Sequence, residues 1–250
     1  MTSPTGARLP VLFFAAYGAN IIPHETSHAL TAMALGVPST LFHFYVDLSP
    51  AHGTPADRAL IAVVGPLVNL VIGAAFWVAR TRVRERPAEL PFLYVATFGV
   101  SMFLGNLVSI AFVGDFSRFA QLLGFSEPLR YAIALSAVVA LCTFTFRVGK
   151  ELTRWAPPDA SRWEAGFRLV AVPVGIGTAL VLLAFIPMPR HFVVGWLAPS
   201  MFWIFAAMGV LRASRVSTTC PWGGTILTGD VTFALAVAVV VRILSRGLTL

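Results

Sequence analysis

Residues 20–30 read NIIPHETSHAL and place two imidazoles and a carboxylate inside one of the most apolar segments of the chain. The surrounding run, residues 9–36, is long enough to cross a bilayer, because about 20 helical residues span the hydrocarbon core. Ionisable side chains at membrane depth are costly, so their presence in a spanning helix points to a functional site. We therefore expect the first span to carry chemistry.

The composition is typical of a polytopic membrane protein. Of the 250 residues, 57% are hydrophobic and 12% are charged, and the mean hydropathy is +0.81, which ordinary soluble domains do not reach. We predict an all-α bundle of about six to seven transmembrane helices that forms a single integral membrane domain, residues 1–250. The predicted spans are 9–36, 58–79, 91–112, 128–147, 167–187, 191–211 and 229–246.

The charge distribution argues against a nucleic-acid partner. The net charge is +7, but the basic residues flank the predicted spans and form no basic face interleaved with aromatic residues. Twelve of the 18 Lys and Arg residues fall on the side of the N-terminus, so the positive-inside rule predicts a cytoplasmic N-terminus. Two cysteines are too few to indicate a disulfide framework or a metal cluster.

The spacing of His24, Glu25 and His28 forms an HExxH motif. On a helix, positions i and i+4 lie on one face, so both imidazoles can bind a single Zn²⁺ while Glu25 reaches a water molecule beside it. A catalytic zinc site takes three protein ligands and leaves one position open for water. The motif therefore predicts a zinc site that needs a third ligand from elsewhere in the chain.

A short strand or hairpin is predicted directly after the first span. Residues 39–50, STLFHFYVDLSP, are rich in aromatic and β-branched residues and are bounded by Pro38 and Pro50. An exposed strand edge can pair with an extended peptide through main-chain hydrogen bonds. The alternative is an interfacial loop that holds its aromatic residues at the level of the lipid headgroups.

Three motifs in sequence order resemble the site-2 protease family of intramembrane zinc metalloproteases. They are the HExxH at 24–28, the GPLVN at 65–69, which is similar to the family's GPxxN, and NLVSIAFVGDFSRF at 106–119, which resembles its NLxPxxxLDG region. The resemblance implies a metalloprotease-like core of about 9–125, with additional transmembrane helices over about 126–250. In the family, the aspartate of the last motif is the third zinc ligand.

The resemblance assigns the third-ligand role to Asp115. Three departures bear on this assignment: the family's Asp-Gly is here Gly114-Asp115, Ser109 replaces the proline, and the separation from Asn106 is longer by one residue. The first loop supplies the alternative ligands, which are His43, Asp47, His52 and Asp57.

Two asparagines of the resembling motifs are candidate substrate-binding residues. Asn69 and Asn106 lie in or beside apolar spans, where each amide needs a partner. The resemblance implies that they hold the substrate backbone or the local fold beside the metal. A hydrogen bond between helices is the alternative role, above all for Asn69.

The resemblance implies that the chain cleaves a peptide bond in or near a transmembrane segment of a membrane protein, with Zn²⁺ as cofactor and Glu25 as general base. The predicted partners are that membrane protein and the lipid bilayer, in a bacterial-type plasma membrane; oligomeric state is left open. Two alternatives are a zinc-dependent hydrolase of a lipid amide or small apolar substrate, and a non-catalytic membrane scaffold. Orientation is also open, because the family places its site near the cytosol and the charge rule does not.

Overall fold

The computed structural model describes residues 5–83, 86–156, 160–186, 202–213 and 227–250. This part of the chain is mainly helical. The helices are α1 (Thr5–Ala34), α2 (Pro55–Ala79), α3 (Arg86–Ser109), α4 (Asp115–Leu122), α5 (Glu127–Leu152), α6 (Arg162–Gly166), α7 (Val172–Ala184), α8 (Trp203–Leu211) and α9 (Thr228–Leu244). A π-helical turn, Phe167–Ala171, joins α6 to α7.

Four helices of the described residues are long and apolar enough to cross a membrane, namely Pro55–Arg82, Ala88–Ser109, Glu127–Trp155 and Arg162–Ala184. Each corresponds to a predicted span. Of the predicted span 191–211, residues 191–201 lie outside the described residues, and the remainder contains α8, which has nine residues. The last predicted span is α9, which has 17 residues, the lower limit of the usual spanning range, and it is not among these four helices.

Helix α1 is the helix around which the bundle is assembled, because it packs against α2, α3, α7 and α9. It runs for 30 residues and continues through Pro23. Phe13 lies in a buried aromatic cluster with Phe98 of α3 and Trp203 of α8, at ring-centroid distances of 4.7 and 5.6 Å. Helix α1 corresponds to the predicted first span but is not among the four helices above. It is a buried helix of the core, and the polar side chains of Asn20, His24 and His28 face protein.

Glycines allow the closest helix contacts. A Cβ added at Gly99 of α3 would lie 2.6 Å from the backbone nitrogen of Gly73 on α2, so these two backbones touch directly. In a membrane the hydrophobic effect does not drive helices together, and small residues at such positions let them associate through close packing instead. This contact fixes α2 against α3, and both helices carry residues of the site described below.

The predicted hairpin is present as part of a three-stranded antiparallel sheet. Strands β1 (Ser39–Leu41) and β2 (Val46–Leu48) pair with each other, and β3 (Leu248–Thr249) pairs with the other side of β1. The pairing of β3 was not predicted, because two exposed residues after a helix carry no strand pattern. Leu41 packs against Ala29 of α1, which places the sheet beside the HExxH turn.

Candidate metal centre

The two histidines of the HExxH motif face each other in the protein interior. His24 and His28 are 4% and 6% exposed, and their Nε2 atoms lie 3.1 Å apart. Helix α1 brings them together because four residues make about one turn. The predicted pair of adjacent imidazoles is therefore present in the structure.

Asp115 completes the group. Its Oδ2 lies 3.0 Å from His24 Nε2 and 3.5 Å from His28 Nε2. The three residues form a cluster that could hold a metal ion. Burial would raise the pKa of Asp115, but the imidazoles of His28 and His24 outweigh this effect and hold that pKa well below its usual range.

A glycine turn delivers Asp115 to the histidines. Asp115 is the first residue of α4, and Gly114 before it has φ +123°, a conformation that favours glycine. Arg130 of α5 supports the turn from behind by donating to the carbonyl of Ile110 and to Ser117 Oγ. The Gly114-Asp115 order thus has a structural reason: the glycine allows the chain to turn immediately before the residue that carries the carboxylate.

The hydrogen bonding of His28 prepares its Nε2 for a cation. Its Nδ1 donates to the carbonyl of Ile61 on α2, and a carbonyl can only accept, so the proton of the neutral ring is on Nδ1. The Nε2 lone pair then faces the Asp115 carboxylate and His24, where two electron-rich groups would repel without a proton or metal between them.

The geometry of the three ligand atoms fits a metal of the size of zinc. With zinc-to-ligand bonds of about 2.0–2.1 Å, tetrahedral coordination separates neighbouring ligand atoms by about 3.3 Å. The observed separations of 3.0, 3.1 and 3.5 Å lie around this value. Three protein ligands from two segments also leave one coordination position for water or substrate.

Gly65 of α2 forms the wall beside the ligand atoms. A Cβ added there would lie 2.8 Å from His24 Nε2 and 2.6 Å from His28 Cε1. Any side chain at this position would therefore occupy the space beside the two imidazoles. The sequence indicated this glycine only through its motif, and its direct contact with the ligands is a result of the helix packing.

The remaining predicted site residues differ in exposure. Glu25 is 7% exposed, and its carboxylate interacts electrostatically with His24, His28 and Asp115. Asn69 is fully buried. Asn106 is half-buried and donates from Nδ2 to the carbonyl of Met102. Substrate contact by either asparagine stays a prediction.

The alternative third ligands have other partners. His43 Nε2 bonds to the Phe185 carbonyl at 3.0 Å, His52 Nδ1 lies 2.8 Å from Ser49 Oγ, and Asp57 caps α2 together with Thr54. Asp47 pairs with Thr40 within the sheet. Burial lowers the pKa of His43, an effect that its hydrogen bond to Phe185 opposes. The fold thus brings Asp115, rather than these residues, to the histidine pair.

Two neighbours of the ligands lie outside the sequence motifs. The Ile61 carbonyl that binds His28 is a backbone group, so no side-chain pattern could indicate it. Asn20 lies one turn before His24, and spacing alone would have marked it as a neighbour of the site.

A scan against protein-family models, a search of curated proteins and a search of solved structures each found no match for this chain.

Proposed function

We propose that this chain is an intramembrane zinc metalloprotease, similar to the site-2 proteases, that hydrolyses a peptide bond in or near a transmembrane segment of a membrane protein. The convergence of His24, His28 and Asp115 beside Glu25 carries the proposal. The donor set of two imidazoles and one carboxylate suits zinc among the divalent metals.

The residues divide the work of hydrolysis between them. A zinc ion held by His24, His28 and Asp115 would supply a Lewis acid for the peptide carbonyl and acidify the attacking water. Glu25 accepts the proton of that water and returns it to the leaving amide nitrogen, as a general base and then a general acid. The Ile61 carbonyl holds His28 in the tautomer that leaves Nε2 free.

The sheet beside α1 favours a peptide as the substrate. A helical peptide bond is shielded by its own hydrogen bonds, so a protease must hold its substrate extended. Within the described residues, β2 pairs only with β1, which leaves its outer edge open for an added strand. Leu48 of β2 packs against the buried cluster that contains Ile61, the residue whose carbonyl binds His28, so this strand lies on the side of α2 that carries the site.

The surface next to Asp115 suits an apolar segment that arrives through the bilayer. Phe112 and Val113, in the turn before α4, are 66% and 81% exposed. Exposed apolar side chains of this size mark contact with lipid or a partner. We infer a multi-pass protein with about six to seven spans in a bacterial-type plasma membrane, in which a substrate helix approaches along this turn.

The decisive experiment compares Glu25→Gln with Asp115→Ala in the purified protein. Glu25→Gln should keep the wild-type zinc content and lose cleavage of a transmembrane peptide by at least 100-fold, because the general base is gone and the ligands remain. Asp115→Ala should lose both zinc and cleavage. Zinc content is measured by elemental analysis and cleavage by mass spectrometry of the products.

The same preparation tested on a lipid amide separates the alternative hydrolase. Products from the lipid that depend on Glu25, without cleavage of any transmembrane peptide, would replace the protease with a lipid amidase. Zinc bound at full stoichiometry with no Glu25-dependent product from either substrate would favour the scaffold. Unchanged zinc content in Asp115→Ala would contradict the third-ligand assignment.

A further inference from the structure

Three buried polar side chains in or beside the histidine pair have atoms without a hydrogen-bond partner in the described part of the chain. They are Asn20 at Oδ1, His24 at Nδ1, and Asn69 at both Nδ2 and Oδ1. Asn20 and Asn69 are 0% exposed and His24 is 4% exposed. Leaving a buried polar atom unpaired is costly, and more so in a bundle surrounded by lipid, so the group requires an explanation.

Asn20 lies on the same face of α1 as His24. Four residues separate them, which places the two side chains one above the other on the helix. The Asn20 Nδ2 donates to the carbonyls of Ala16, at 2.8 Å, and Val95 of α3, at 3.1 Å. These two bonds orient the amide and leave Oδ1 as its unused acceptor.

Asn69 lies at the same depth on the facing helix. It follows Gly65 by four residues, and Gly65 contacts both imidazoles. Ile61 bonds to His28, and Gly65, four residues later on α2, is also close to His24, four residues earlier on α1. The two helices therefore run antiparallel. Asn69, one turn after Gly65 on α2, therefore lies at about the level of Asn20, one turn before His24 on α1.

Both asparagines belong to the seam between α1, α2 and α3. Asn20 reaches α3 through Val95, and the backbone carbonyl oxygen of Asn69 lies 2.7 Å from where a Cβ of Gly99 on α3 would be. Asn20 and Asn69 thus border the same buried seam, about one helical turn from the histidine pair. None of the three groups bonds to another within the described residues, so an enclosed water molecule would have to join them.

The two histidines differ in how their second nitrogen is held. His28 Nδ1 donates to the Ile61 carbonyl. His24 Nε2 faces His28 and Asp115, so as a neutral ligand it carries its proton on Nδ1 and needs an acceptor there. Groups that bind the second ring nitrogen of a metal-ligating histidine set its tautomer and orientation.

We propose that Asn20 and Asn69 are positioning residues for His24, whose Nδ1 proton their amide oxygens accept through one enclosed water. The proposal rests on the metal centre of the proposed function and not on proteolysis. Both side chains act through His24 and contact neither the metal nor the substrate in this role.

The test measures zinc affinity by chelator competition in three Asn variants. Asn20→Leu and Asn69→Leu should each weaken zinc binding about 10- to 100-fold, the usual effect of losing such a partner. Asn20→Asp keeps the Oδ1 acceptor and loses the Nδ2 donor, so it should retain the wild-type affinity. Because the two asparagines act on the same ring, the double Leu variant should lose less than the product of the single losses.

The control variant removes a buried unpaired polar atom that is not assigned to the metal centre. Tyr94 has a buried hydroxyl without a partner in the described residues and stacks against Trp203, so Tyr94→Phe should leave zinc affinity unchanged. The melting temperature of the metal-free protein should stay equal or rise in the Leu variants. Equal weakening by Asn20→Asp and Asn20→Leu would instead indicate a structural role of the amide donor and overturn the proposal.

A second measurement needs no variant that could fail to fold. In zinc-loaded wild-type protein with ¹⁵N-labelled histidine, both ligand rings should be protonated at Nδ1, and the His24 proton should exchange slowly with solvent. Absence of that proton, or zinc affinity within twofold of wild type in both Leu variants, overturns the positioning role. Zinc affinity does not depend on hydrolysis, so a failure here is distinct from a negative result in the Glu25→Gln experiment.

Discussion

At the scale of single residues, the site depends as much on an absent side chain as on the ligands. Gly65 lies against both imidazoles and leaves the space beside their Nε2 atoms free. The neighbouring contacts are equally specific, since the Ile61 carbonyl selects the tautomer of His28. A small change in packing at this position would therefore alter metal binding before it alters the fold.

We expect Gly65→Ala to weaken zinc binding at least tenfold. The added Cβ would overlap His28 and crowd His24 Nε2, so the two rings must rotate apart. The matched control is Gly105→Ala in α3, where a Cβ meets nothing within 4 Å and where alanine should stabilise the helix by about 0.5–1 kcal/mol. Zinc titration and thermal melting of both variants test this, and equal zinc affinity in the two would contradict the role of Gly65.

At the scale of elements, α4 begins with Asp115 and positions this residue against His24 of α1. The turn from Ile110 to Gly114 reverses the chain after α3, and three hydrogen bonds hold it, two from Arg130 and one from Ser117 Oγ to the Phe112 carbonyl. Gly114 adopts φ +123°. The third ligand is thus placed by a turn that requires glycine at position 114 and that α5 supports.

Gly114→Ala should displace Asp115 and lower both stability and zinc affinity. A non-glycine residue at this φ costs about 1–3 kcal/mol, and its Cβ would also approach Ser109 Oγ to 2.9 Å. Gly36→Ala is the control, because Gly36 has φ +67° but open space around its Cβ position. It should lose stability through backbone strain alone and keep its zinc affinity. If both variants bind zinc equally, the turn does not position the ligand.

At the scale of the whole molecule, the metal centre and the main ionic contacts lie at different levels of the bundle. Arg80 follows α2 and is 19 residues beyond Ile61, which corresponds to about 28 Å along the helix. It forms ion pairs with Glu89 and Glu151 at 3.5 and 3.4 Å and stacks on Trp77. A second pair, Arg8 with Asp230 at 2.7 Å, joins the start of α1 to the start of α9.

Breaking the Arg8–Asp230 pair on one side should destabilise the bundle strongly. Both side chains are 4% exposed, and breaking a buried ion pair on one side, as Asp230→Ala does, costs about 3–5 kcal/mol. The double variant Arg8→Met/Asp230→Leu should recover most of this loss. Thermal melting in detergent measures the effect.

The control for this prediction is an exposed pair. Arg168 and Glu164 lie 2.7 Å apart with more than two fifths of each side chain exposed, so Glu164→Ala should change stability by less than about 1 kcal/mol. A loss in Asp230→Ala no larger than in Glu164→Ala would show that α9 is held to α1 by apolar packing alone.

The sequence alone determined the local features of this protein. The apolar runs predicted the four long helices to within a few residues, as in 58–79 against Pro55–Ala79, and the aromatic β-branched run predicted the hairpin. The HExxH spacing placed His24 and His28 on one face, because residues four positions apart in a helix lie on the same face. All of these features follow from neighbours in the chain.

Only the tertiary structure decided which distant groups meet. The sequence indicated Asp115 only through its resemblance to a family motif, and the fold brought this residue to His24 across 91 residues. The fold also joined Arg8 to Asp230 across 222 residues and paired β3 with β1. It placed a backbone carbonyl on His28 and left amide atoms of Asn20 and Asn69 unpaired within the described residues. Such contacts depend on how helices pack in three dimensions, where close approach at glycines and the burial of polar atoms act together, and no local pattern in the chain encodes that packing.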